Sequence, residues 1–118
     1  MKKNKIYDIA FSTVYPLYIQ KIEKKGREKS ELDQIIYWLT GYNEDELHHV
    51  LENNQTMTVF FERAPRLNPN RSFITGSICG VIIQDIEEDL MKNIRYLDKL
   101  VDELAKGKAL EKILRSSK

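Results

Sequence analysis

The sequence contains one cysteine, Cys79, among 118 residues. A single thiol cannot form an intramolecular disulfide, and it excludes metal sites that need several cysteines. Glycine and proline are also scarce, with five and three residues, and nowhere do they form a linker between two domains. No apolar run approaches the roughly 20 residues of a membrane-spanning helix. These absences predict a single domain over residues 1–118, a cytoplasmic location and no membrane partner.

The residues that are abundant are charged and apolar. Charged residues make up 31% of the chain and apolar residues 42%, with a formal net charge of +1. This apolar content suffices for a compact core and is too high for a disordered chain. The charges alternate along the chain, and the acidic segments 28–52 and 85–103 lie between basic ones. We therefore expect segments of opposite charge to pack near one another, although exposed ion pairs contribute only about 0 to 1 kcal/mol each.

Apolar residues recur at spacings of three and four over most of the chain, which is the period of an amphipathic helix. The pattern predicts helices over about 12–25, 30–40, 43–52, 56–63 and 85–104, with shorter helical segments over 69–79 and 110–114. The longest helix carries an apolar seam typical of a helix packed along another, formed by Leu90, Ile94, Leu97, Val101 and Leu104. The sequence thus predicts an all-α fold, a compact bundle of about five to seven helices.

Local signals refine this pattern. The spacing of a capping box occurs at 30–33, 43–46 and 85–88, so we expect helices to begin there. The β-branched run 81–83 favours extended structure, but no pairing partner is evident. We predict a buried extended connection at 81–83, and at most this one extended segment.

Several blocks of the chain resemble a known bacterial family. They read VYPLY at 14–18, WLTGY at 38–42, APRLNP at 64–69, ICGV at 78–81, YLDKL at 96–100 and DELAKGK at 102–108. Together they are similar to the DUF2200 family over about residues 5–115. The resemblance implies a short, stand-alone bacterial protein of unknown function in the cytoplasm. It provides no catalytic or binding residue, so the candidate sites rest on residue type alone.

Helices 30–40 and 43–52, joined by a tight glycine turn, have the outline of a helix-turn-helix. The second of them carries four acidic residues over 44–52 and no Lys or Arg. Phosphates would be repelled by that helix, so an ordinary antiparallel helix hairpin is favoured. A weaker alternative is nucleic-acid contact through the basic termini, which include Lys2, Lys3, Lys5, Lys106, Lys108, Lys112, Arg115 and Lys118.

Other chemical signals have simpler interpretations. His48 and His49 are adjacent, and neighbours on a helix point about 100° apart, so they cannot face one metal ion. Cys79 lies in apolar sequence, which favours a packed thiol over a reactive thiolate. The acidic run 85–89 lacks the spacing of a calcium loop, and no phosphate-binding or dinucleotide motif is present. We expect no metal and no cofactor, and we find no recognisable catalytic motif.

The segment 63–71 is a polar loop braced by prolines, and its arginines can line an anion pocket. The interpretation that we favour is that these arginines cap helix ends or pair with the acidic segments. If a pocket exists, the tentative ligand-binding residues are Arg71, Tyr96, Trp38 and Arg63.

The sequence favours a non-enzymatic protein that binds a protein partner or itself. The seam over 90–104 motivates the homodimer. The alternative is a small-molecule or anion-binding protein, with catalysis left open, that uses the loop 63–71.

Overall fold

The computed structural model describes residues 5–78 and 80–115, and helices dominate it. The α-helices are α1 (Phe11–Glu23), α2 (Lys29–Thr40), α3 (Glu44–Glu52), α4 (Met57–Glu62), α5 (Asp89–Ala105) and α6 (Leu110–Ile113). Short 3₁₀ helices cover Lys5–Asp8, Pro69–Phe73 and Ile83–Asp85, and the strands are β1 (Ser77–Ile78) and β2 (Val81–Ile82). The predicted all-α fold class is confirmed. Within the described residues, no helix combines the length and apolar character needed to cross a membrane.

Helix α5 lies at the centre of the core and packs against α1, α2, α4 and α6. Its seam residues Ile94, Leu97, Val101 and Leu104 are at most 1% exposed. The aromatic part of the core includes Phe11 of α1 stacked on Phe60 of α4, with 4.0 Å between ring centroids. These four seam residues are therefore covered by helices of the same chain, whereas Leu90, at the start of the seam, is half-buried.

The capping box predicted at 43–46 is present. The Asn43 side chain accepts from the Glu46 amide at 2.8 Å, and the Glu46 carboxylate accepts from the Asn43 amide at 2.9 Å. Helix α3 therefore begins where local sequence places it.

The other two predicted boxes are wrong. Helix α2 begins at Lys29, and its capping box lies two residues earlier than predicted, between Glu28 and Glu31. The Asp33 carboxylate cannot form the predicted box because it is bound by the Tyr15 hydroxyl and by Lys29. Helix α5 starts at Asp89 rather than near 85. There the chain first makes the 3₁₀ turn Ile83–Asp85.

The segment 81–83 is extended only in part, and it is not wholly buried. Val81 and Ile82 pair antiparallel with Ile78 and Ser77, and they are 36% and 51% exposed, whereas Ile83 is buried. The expectation of a buried, unpaired connection was wrong. The strand that pairs with this segment, β1, has only two residues, which is too short to be seen in the sequence pattern.

The helix predicted over 69–79 is also shorter than expected. Asn68 accepts a hydrogen bond from the Asn70 amide at 2.8 Å and so caps a 3₁₀ helix that ends at Phe73. The chain then turns into β1. Cys79, with its predicted packed thiol, lies outside the described residues.

Tyrosine hydroxyls anchor the N-terminal part of the chain to α5 and α2. Tyr7 donates to Glu88, Tyr15 to Asp33, and Tyr18 to Asp98 at 2.6 Å. Burial, together with the neighbouring Asp33 carboxylate, raises the pKa of Tyr15 to about 12. The phenol therefore remains a neutral donor at physiological pH, and the Tyr18 bond helps to fix α5, which carries part of the candidate site.

Candidate functional site

The site is built around the C-terminal end of α2, where a helix leaves four carbonyl groups without intrahelical partners. The carbonyl oxygens of residues 37–40 all accept hydrogen bonds here. The Gly41 amide donates to the Tyr37 carbonyl, and the Arg66 amide donates to the Thr40 carbonyl. Asn68 donates to the Trp38 carbonyl through its side-chain nitrogen and to the Leu39 carbonyl through its backbone nitrogen. The four distances are 2.8 to 3.2 Å. Residues 66–71, which we call the strap, are thereby fixed across the end of α2.

The strap also orients Arg71. The Asn68 carbonyl accepts from the Arg71 amide at 3.0 Å and from Arg71 Nη1 at 2.9 Å. In the part of the chain that the structure describes, Nε and Nη2 of Arg71 have no hydrogen-bond partner. The guanidinium is therefore held from one side, and its remaining donors are available to a ligand.

Arg71 and Tyr96, both predicted as ligand-binding residues, line the same open cavity. This Arg71 cleft has a volume of about 540 Å³ and lies between the strap and the first half of α5. Its lining residues are Leu67, Pro69, Arg71, Ser72, Asp89, Lys92, Asn93 and Tyr96.

Two polar side chains in this cleft are more than nine-tenths buried and yet unpaired. Asn93 is 8% exposed and Tyr96 is 6% exposed. Neither the Asn93 amide nor the Tyr96 hydroxyl has a hydrogen-bond partner within residues 5–78 and 80–115. Their polar atoms are not fully enclosed, and the cleft that these two groups border is where solvent or a ligand can reach them.

The charges around the cleft favour an anion. Arg71 and Lys92 contribute two positive charges, and Asp89 contributes one negative charge. Asp89 is exposed, whereas Arg71 and Lys92 are half-buried. The half-buried cations are less screened by solvent than the acid, and hydrogen bonds from such cations to anions are stronger than those between neutral groups.

Trp38 lies in a neighbouring cavity on the other side of Pro69. This Trp38 cleft has a volume of about 530 Å³ and is lined by Trp38, Gly41, Arg66, Asn68, Pro69 and Asn70. Pro69 is exposed and lines both clefts. The structure therefore places Trp38 beside the Arg71 cleft rather than in its wall.

Arg63 lies apart from the other predicted residues. It is the exposed C-cap residue of α4 and borders a smaller cavity of about 140 Å³, together with Tyr42, Glu46, His49, Val50 and Gln55. Among the described residues, none of Arg63, Arg66 and Arg71 forms an ion pair. The expectation was that these arginines cap helix ends or pair with the acidic segments, and of the two only the pairing is wrong. Arg63 is the C-cap residue of α4, and the Arg66 amide binds the Thr40 carbonyl at the end of α2.

The remaining candidate groups have local partners or lie outside the described residues. His48 is exposed and lies 3.2 Å from Glu52, and the exposed His49 contacts Asn53. Residues 5–78 and 80–115 contain no group of three or more His, Cys, Asp or Glu side chains that could hold a metal ion. Of the predicted basic contacts, Lys2, Lys3 and Lys118 are outside the described part.

Sequence reasoning missed Lys92 and Asn93. A signal for them was present, because residues 89, 92, 93 and 96 share one face of α5 at spacings of three and four. Asn93 precedes the seam residue Ile94, and this position beside an apolar seam indicates that its side chain is largely buried.

One family model and one solved structure match nearly the whole chain. The family model described as "Uncharacterized protein conserved in bacteria (DUF2200)" matches residues 5–115. A solved structure titled "Crystal structure of uncharacterized protein SP1917" is 42% identical, with a TM-score of 0.91 over 99% of this chain and 98% of that one. None of the curated proteins matches. The chain therefore belongs to the DUF2200 family of uncharacterised bacterial proteins.

Proposed function

We propose that this protein binds a small anionic molecule in the Arg71 cleft. The observation that carries the proposal is that the Asn93 amide and the Tyr96 hydroxyl, in largely buried side chains without a hydrogen-bond partner among the described residues, line the same cleft as the guanidinium of Arg71. Their polar atoms are not fully enclosed, so the cleft gives solvent or a ligand access to them. A ligand there can bond both groups without first breaking a hydrogen bond within the protein.

The cleft groups match an anion with additional polar atoms. Nε and Nη2 of Arg71 can donate in parallel to a carboxylate or phosphate, and Lys92 adds a second positive charge. Asn93 offers both a donor and an acceptor, and Tyr96 offers a hydroxyl. A volume of about 540 Å³ lies within the roughly 300 to 1,000 Å³ of typical ligand pockets. The ligand is therefore expected to be an organic anion rather than a bare inorganic ion.

The test is calorimetric titration with ribose 5-phosphate, a small polar anion. We expect Arg71→Met to weaken binding at least tenfold and Tyr96→Phe about fivefold, because each loses a hydrogen bond worth about 1 to 2 kcal/mol. Arg63→Met is the matched control, since Arg63 is exposed and lies outside the cleft. Absence of binding to the unmodified protein, or an equal loss in the control, would overturn the proposal.

A stability measurement separates binding groups from structural ones. Asn93→Leu replaces a largely buried amide that has no hydrogen-bond partner among the described residues. No hydrogen bond within the protein is lost, so we expect the free energy of unfolding to stay within about 1 kcal/mol of its original value while ribose 5-phosphate binding weakens. A variant that lost both stability and binding would instead assign Asn93 a structural role.

A second candidate function is self-association, which is favoured by exposed apolar side chains near the β1–β2 pair. Phe73 is 61% exposed and Ile82 is 51% exposed. Sedimentation velocity over a range of protein concentrations tests this candidate. We expect Ile82→Lys to reduce association, whereas Leu17→Lys, at a 58% exposed position on α1, leaves it unchanged. A protein that remains monomeric at every concentration would eliminate this candidate.

A further inference from the structure

The Arg71 cleft and the Trp38 cleft have one lining residue of the strap in common, Pro69. Asn70 lines the Trp38 cleft and Arg71 lines the Arg71 cleft, and consecutive Cα atoms are about 3.8 Å apart. Pro69, which is exposed, borders both. One extended ligand that passes over Pro69 could therefore occupy the two cavities together.

The Trp38 cleft offers groups suited to a flat ring. Trp38 is half-buried, and in the described residues its indole N–H has no hydrogen-bond partner. The side chains of Arg66 and Asn70 also lack partners within that part of the chain. An indole provides a surface for stacking, and an amide provides a donor and an acceptor in the pattern that the edge of a nucleobase matches.

We infer that the ligand of this site is a nucleotide, with its phosphate at Arg71 and Lys92 and its base against Trp38. The inference rests on the proposed function, which places the anionic group of the ligand at Arg71, and it further assigns a planar base to the Trp38 cleft. A base stacked on an aromatic side chain contributes about 1 to 3 kcal/mol, so the ring should increase affinity about tenfold or more over the sugar phosphate alone.

Three probes divide the ligand into parts: AMP, ribose 5-phosphate and adenosine. Trp38 is the single tryptophan of the chain, so its fluorescence reports specifically on the Trp38 cleft. We expect AMP to change this fluorescence and to bind at least tenfold more tightly than ribose 5-phosphate. Adenosine, which lacks the phosphate, should bind more weakly than AMP, and Arg71→Met should remove most of that difference.

The decisive variant is Trp38→Leu, measured by calorimetry. We expect it to weaken AMP binding about tenfold and to leave ribose 5-phosphate binding unchanged. Tyr37→Leu is the matched control, because Tyr37 is a half-buried aromatic neighbour on α2 that lines a different cavity. Asn70→Ala provides a second test that does not alter an aromatic contact, and we expect it to weaken AMP binding about fivefold.

The outcomes separate this inference from the proposed function. If ribose 5-phosphate binds as tightly as AMP, and Trp38→Leu changes neither affinity, the nucleotide inference is wrong while anion binding at Arg71 stands. If neither anion binds to the unmodified protein, both proposals are wrong.

Discussion

Replacing Arg27 with methionine is expected to lower the free energy of unfolding by about 3 kcal/mol. Arg27 lies between α1 and α2, and its Nη1 donates to the carbonyls of Leu104 at 3.0 Å and Lys108 at 2.9 Å. Its Nε and Nη2 bind the Glu31 carboxylate at 3.1 and 2.8 Å. One guanidinium thus joins the start of α2 to the C-terminal end of α5. Methionine has no donor, so the two carbonyls and the Glu31 carboxylate would each lose their hydrogen bonds from residue 27.

Denaturation by urea measures this effect. The matched control is Lys25→Met, which removes an exposed positive charge two residues away and is expected to change stability by less than about 0.5 kcal/mol. Arg27→Lys should lose more than half of what Arg27→Met loses, because a lysine ammonium cannot reproduce the planar set of donors. Equal stabilities of Arg27→Met and Lys25→Met would show that these hydrogen bonds contribute little.

Gly41→Ala is expected to cost about 3 kcal/mol and to disturb the strap. Gly41 has φ of +82°, in the left-handed region, and a Cβ atom there would lie 2.8 Å from the backbone nitrogen of Arg66. That nitrogen donates to the Thr40 carbonyl at 2.9 Å, so the clash falls on the hydrogen bonds that fix the strap to α2. Binding in the adjacent clefts should weaken as well.

Gly26→Ala separates the strain of a left-handed backbone from the clash with the strap. Gly26 has nearly the same conformation, with φ of +78°, but a Cβ atom there would meet nothing within 4 Å. We expect Gly26→Ala to cost only the strain of the left-handed backbone, about 1 to 2 kcal/mol. The extra loss in Gly41→Ala, measured by the same urea denaturation, reports the contact with the strap. Equal losses at the two glycines would contradict this account.

The helical period predicted the fold class because burial of one face follows directly from spacing. A capping box predicted the start of a helix only where the two side chains of the box were free to form it. Asn43 and Glu46 bind each other, so α3 began as expected. Glu88 is instead bound by Tyr7, which is 81 residues away in sequence, and spacing within 85–88 carries no information about such a partner.

The candidate site was also predictable only in part, because residue type is local and the packing of distant segments is not. Residue type pointed to Arg71 and Tyr96, and the fold places both in one cleft. Arg63 lies outside it because it ends α4, before the strap begins. The unpaired state of Asn93 could not be predicted, since it depends on which groups of the strap and α5 face each other.

The hydrogen bonds between the strap and α2 also have an electrostatic consequence. The aligned peptide dipoles of a helix place about half a negative charge at its C-terminal end, carried by the carbonyls that lack partners. In α2 these carbonyls all accept N–H groups, and the Trp38 cleft lies beside them. By offsetting this negative pole, the strap reduces the repulsion that a negatively charged molecule would meet there.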